Sequence, residues 1–122
     1  MNGNEYQRKA MRTNNHEAGE KILASMQAGN NTGEILNASL GLSGEVGELN
    51  DLLKKWIFHE KNIDREHIKK EIGDIMWYIA LMAEAFGFEL DSIMITNIEK
   101  LEARYPEGFD TARSNNRKEG DI

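Results

Sequence analysis

Cysteine is absent from the 122 residues, which excludes disulfides, thiolate–zinc centres and thiol nucleophiles together. Proline occurs once, at Pro106, so nothing upstream is forced out of a helix by a missing N–H or a ring clash. No apolar run approaches the ~18 residues of a membrane span, and the N-terminus lacks the apolar core of a signal peptide. A cytoplasmic location with no membrane partner is the expectation. Basic residues are outnumbered, 15 Lys and Arg against 21 Asp and Glu, giving a net charge of −6. That balance argues against a nucleic-acid polymer as partner, which would need a basic footprint. A nucleotide stays compatible if metal ions supply local positive charge.

What is present is helical periodicity. Hydrophobic residues make up 39% of the chain and charged residues 30%, as in one soluble domain with a modest core. Few segments alternate with a period of two, so long amphipathic helices are expected and the fold class is all-α, a bundle of four to five helices. A first helix spans about 4–29, with a possible interruption at Thr13-Asn14-Asn15. A loop at 29–33 follows, where Asn31 or Thr32 could cap the next helix. The second helix covers about 34–59 and contains Gly41, Gly44 and Gly47. Each glycine costs roughly 1 kcal/mol relative to alanine, which suggests close approach of a backbone or ligand, or else a break near 41–44. Asp64 is a good N-cap for a third helix over 65–86, and Gly87 a good stop. A fourth runs over 91–105 and ends at Pro106. Residues 1–108 form the domain; 109–122 read as a polar tail, expected to be mobile. Helices this long in so short a chain leave apolar stripes partly covered, for which burial between subunits is the usual remedy.

Two acidic phrases stand out, Gly44-Glu45-Val46-Gly47-Glu48 and Glu71-Ile72-Gly73-Asp74. Acids three apart share one face of a helix of about 3.6 residues per turn. Two such helices side by side would aim Glu45, Glu48, Glu71 and Asp74 at one point, where they would repel or take up protons unless a cation sat between them. One acidic pair is usually a solvated face; two in apolar, glycine-flanked settings suggest a site. All-oxygen ligation suits Mg²⁺, which keeps several waters and shares its shell with phosphates. Di-iron bundles gather carboxylates similarly but need Glu-x-x-His pairs, and Glu45, Glu48 and Glu71 are followed at the third position by Glu48, Asp51 and Asp74. On the fourth helix, with Asn97 at zero, Lys100 lies near 300° and Arg104 near 340° at about 100° per residue. That face could hold phosphate oxygens; on spacing alone, an exposed charged face fits equally well.

The segment from Leu40 to Glu48, followed by Glu71-Ile72-Gly73-Asp74, resembles the Glu-x-x-Glu…Glu-x-x-Asp signature of the MazG-like all-α nucleoside triphosphate pyrophosphohydrolases. The segment Asn97-x-x-Lys100-x-x-x-Arg104-Tyr105-Pro106 resembles that family's phosphate-contacting segment, and Tyr6-Gln7 and Arg12-Thr13 its N-terminal helix. The likeness covers about 4–108, a single unit rather than a tandem pair.

The resemblance implies that Glu45, Glu48, Glu71 and Asp74 bind Mg²⁺, with Mn²⁺ as a substitute, and that Lys100 and Arg104 hold phosphates. Asn97 would contact phosphate or sugar, with Lys55 or neighbouring Lys54 a weaker phosphate candidate. The implied reaction cleaves (deoxy)nucleoside triphosphates between the α- and β-phosphates, giving a nucleoside monophosphate and pyrophosphate. Glu48 could instead act as general base. The implied assembly is a homodimer or a dimer of dimers. Trp56, Trp77 and Tyr78 are candidates for the base pocket, with Trp77 expected in the core; His16, His59 and His67 are expected on the surface rather than as ligands. Two other functions fit the same acidic helices, a phosphoribosyl-ATP pyrophosphohydrolase and a non-catalytic helical interaction module.

Overall fold

The computed structural model describes residues 1–108 and is helical throughout, in the order α1 (Gly3–Met11), α2 (Ala18–Gln27), α3 (Thr32–Phe58), α4 (Arg65–Phe86) and α5 (Leu90–Arg104). The polar tail expected at 109–122 lies outside the described residues.

The interruption after α1 is real, and side chains cause it. Asn14 accepts a hydrogen bond from the His16 N–H and Asn15 one from the Glu17 N–H, both at 3.0 Å, while His16 adopts a left-handed φ of 58°. These local bonds give the backbone an alternative to the helix ladder. Asn31 does not cap α3 with its side chain. Its amide instead donates to the Ala85 carbonyl at 3.0 Å, pinning the start of α3 to the end of α4. The Thr32 hydroxyl is 2.6 Å from that of Ser25, joining α2 to α3. At α4 the sequence signals act as expected: Asp64 accepts from the His67 N–H at 3.0 Å, and Gly87 ends the helix at φ 74°.

Helix α3 continues unbroken through Gly41, Gly44 and Gly47. It pairs with α4 in antiparallel register, Asn31 opposite Ala85 and Gly41 opposite the ring of Tyr78. Ala38 and Ala83, the buried apolar residues, let the two backbones come close.

This hairpin is the packed part of the molecule, joined by α2, whereas α5 packs extensively against none of the other helices. The incompletely covered stripes are present: Met76 is 62% exposed and Met94 63%. Trp77 departs from the core position expected for it, being 59% exposed, with its ring edge-on to Tyr78 at 5.0 Å. With Glu71 at zero, Ile72, Met76 and Ile79 lie within about 80–140° on α4, away from the acidic face near 300°. That stripe is apolar and exposed. Among the described residues, no helix is long and apolar enough to cross a membrane.

Candidate metal centre

The register that sets Gly41 against Tyr78 brings Glu45, one turn further along α3, opposite Glu71 and Asp74 on α4. Carboxylate oxygens of these three residues all lie within 4.8 Å of one another. Glu71 is the buried charged residue among those described, at 7% exposure. One oxygen each of Glu45 and Glu71 is buried without a hydrogen-bond partner. Buried unpaired polar atoms are costly and rare, so a pair of them beside a third carboxylate fits an absent ligand. Burial chiefly, then the adjacent Glu71 carboxyl and the charges of Glu48 and Asp74, push the Glu45 carboxyl up to about 7. A hard divalent cation would relieve all of these effects, and three carboxylates form an oxygen donor set suited to it.

Glu48 is not one of the three clustered donors, although its charge acts on Glu45. It is exposed and lines an adjoining cleft of about 420 Å³, together with Gly44, Gly47, Asp51, Lys55, His67 and Glu71. Lys55 is held there by Asp51, ammonium to carboxylate at 2.8 Å. The hydrogen bond and charge of Lys55 keep the Asp51 carboxyl below its ordinary value. Lys54 is exposed and does not line this cleft. A second cleft of about 340 Å³ shares the Leu52 and Lys55 walls and reaches Trp56, Asn62, Asp64 and Ile68.

The basic face of α5 is not part of either cleft. Asn97 is exposed, and Lys100 and Arg104 are half-buried. The Arg104 guanidinium lies 5.9 Å from the centre of the Tyr105 ring. Tyr78 is half-buried against Gly41 and lines neither cleft. His16 and His59 are exposed, as expected. His67 is exposed too, yet it does more than coat the surface: its Nε2 is 3.1 Å from the second Glu71 oxygen, and the residue lines the larger cleft. The four-residue spacings of His67 to Glu71 and of Asp51 to Lys55 were the signals for both pairs, since such residues are neighbours on a helix.

Comparison with known proteins supplies the family. The MazG nucleotide pyrophosphohydrolase domain matches residues 34–109, a span that contains α4, α5 and all of α3 but its first two residues. The Gene 37 protein of Mycobacterium phage L5 is 30% identical over 83 residues, covering 65% of this chain and 73% of the phage protein. No solved structure matches the chain significantly. The helical hairpin, its acidic cluster and the family match converge, and the chain belongs to the MazG nucleotide pyrophosphohydrolase family.

Proposed function

We propose that this protein hydrolyses (deoxy)nucleoside triphosphates at the α–β phosphate bond in a Mg²⁺-dependent reaction, releasing a nucleoside monophosphate and pyrophosphate. The observation that carries the proposal is the pair of buried, unpartnered oxygens on Glu45 and Glu71, clustered with the Asp74 carboxylate. These residues would hold Mg²⁺ or its substitute Mn²⁺, with Glu48 as the fourth acid. When bound, the ion supplies charge neutralisation on the phosphate oxygens and a water of lowered pKa for in-line attack. Glu48, exposed on the adjoining cleft, would serve as the base that accepts a proton from the attacking water. Lys55 offers an ammonium to phosphate oxygens in exchange for its Asp51 partner. The base and sugar would lie in the neighbouring cleft beside Trp56.

Exposed stripes on α4 and α5 support assembly with further copies of the chain, as homodimer or homotetramer. Asn97, Lys100 and Arg104, on a helix that lines neither cleft of the single chain, would hold phosphates in that assembled protein.

The test is product identification with dCTP, dUTP, dTTP, dATP and phosphoribosyl-ATP over a Mg²⁺ titration. Metal-dependent release of pyrophosphate from a nucleoside triphosphate is expected, and its loss in Asp74→Asn with helicity retained. Turnover of phosphoribosyl-ATP alone would reassign the substrate. An absence of turnover of every nucleotide, with or without metal, would favour the non-catalytic module.

A further inference from the structure

Among the charged residues described, Glu71 is the buried one, and its two oxygens have different surroundings. One lies 3.1 Å from His67 Nε2; the other is buried without a partner, beside Glu45 and Asp74. We infer that His67 is a positioning residue for the metal centre, holding one Glu71 oxygen so that the other is presented to the divalent ion. The inference rests on the divalent-cation reading of that cluster.

A carboxylate that binds a metal is ionised and can only accept hydrogen bonds, so Nε2 must carry the proton and donate. Without that donor, the Glu71 side chain can rotate its oxygens between the cluster and the cleft. An ordinary pair four residues apart on a helix contributes little and normally joins exposed groups. The Glu71 side chain is instead only 9% exposed, against 47% for His67. The bond therefore joins a group at the cleft wall to an acid beneath it. Lys55, the cationic side chain lining the same cleft, is engaged with Asp51, leaving the Glu71 contact to His67. His67 is not itself one of the three clustered donors, so it acts through Glu71 rather than as a ligand.

The experiment is Mn²⁺ binding to the full-length protein, followed by loss of the free-ion EPR signal, in wild type, His67→Leu and His67→Gln. Partners of a metal ligand typically account for about 10–100-fold in metal affinity. His67→Leu should bind Mn²⁺ at least ~10-fold more weakly, and His67→Gln, which restores an N–H donor within reach of position 71, should recover most of that loss. Mg²⁺-dependent turnover of His67→Leu should approach the wild-type kcat at saturating metal, which a general structural defect would not allow. Helicity by circular dichroism should be unchanged, because the replaced side chain is half exposed. Equal Mn²⁺ affinity in wild type and His67→Leu overturns the inference while leaving the metal centre standing. Failure of Gln to restore binding also overturns it. A wild type that binds no Mn²⁺ overturns the metal reading itself.

Discussion

Gly41 on α3 lies directly beneath the Tyr78 ring on α4, so close that a Cβ at position 41 would collide with three ring atoms. That contact belongs to the register of the hairpin that sets Glu45 against Glu71 and Asp74. A mid-helix glycine replaced by alanine usually gains up to about 1 kcal/mol. At Gly41 the sign should reverse, because overpacking a fitted contact costs about 1–3 kcal/mol. Gly41→Ala is expected to lower the urea midpoint. Gly44→Ala, whose added carbon meets nothing within 4 Å, should leave the midpoint unchanged or raise it. A higher midpoint for Gly41→Ala would remove Tyr78 as the reason for that glycine.

Much of the hairpin was legible in the sequence, for local reasons. Asp64 and Gly87 bracket α4 because a cap and a left-handed stop are written in single residues. The acid pairs could be read because four-fold coincidence on two helical faces is uncommon. Asn31 takes the N-cap position of α3 as expected, but its amide bonds across to Ala85 rather than down its own helix, a choice made by the neighbouring helix. Trp77 misled for a related reason, since periodicity marks an apolar face without saying whether this chain or another covers it. Which of the four acids cluster depends on the register between α3 and α4, which no single segment encodes.

The raised Glu45 carboxyl gives the metal-free protein a signature in pH. Its folded value of about 7 lies above the ordinary 4.5, so between those values the folded state holds a proton that the unfolded chain has lost. Stability from this group is therefore full below about 4.5 and is lost as the pH rises through about 7. Metal binding requires the ionised form and releases that proton, so it strengthens over the same window. Thermal melts in EDTA should fall from about pH 5 to about pH 8, while the stabilisation by Mg²⁺ grows. A Mg²⁺ effect constant across this range would contradict the assignment of Glu45 as a ligand.

Neutralising the buried acid should separate stability from function. Glu71→Gln removes one of three negative charges crowded within 4.8 Å. The metal-free melting temperature is expected to rise by a few degrees, the Mg²⁺-induced shift to vanish and pyrophosphate release to be lost. Like-charge crowding is relieved even as the ligand is destroyed. Glu48→Gln should behave differently, keeping part of the metal-induced shift because Glu45, Glu71 and Asp74 remain, while lowering kcat by about 10²–10⁴-fold, the range for loss of a general base. Similar melting shifts and kcat losses for both variants would show that Glu48 is chiefly another ligand.

The two cleft residues Lys55 and Trp56 should report on substrate binding. The Lys55–Asp51 pair has both side chains about half exposed, where solvent screening leaves it little net worth to the fold, so Lys55→Met should melt nearly as wild type. Its KM for a nucleoside triphosphate should rise severalfold through loss of the ammonium. Trp56→Ala should raise KM while leaving the Mg²⁺ dependence untouched, because its cleft adjoins the acids rather than containing them. Unchanged KM in both variants would place the nucleotide elsewhere on the protein.

The most direct measurement is an anomalous difference map from crystals of the protein soaked in Mn²⁺. A peak is expected between α3 and α4, within coordination distance of the unpartnered Glu45 and Glu71 oxygens and of the Asp74 carboxylate. A peak found only at other acids, or none at millimolar Mn²⁺ with these three side chains ordered, would contradict the metal centre and the hydrolysis built on it.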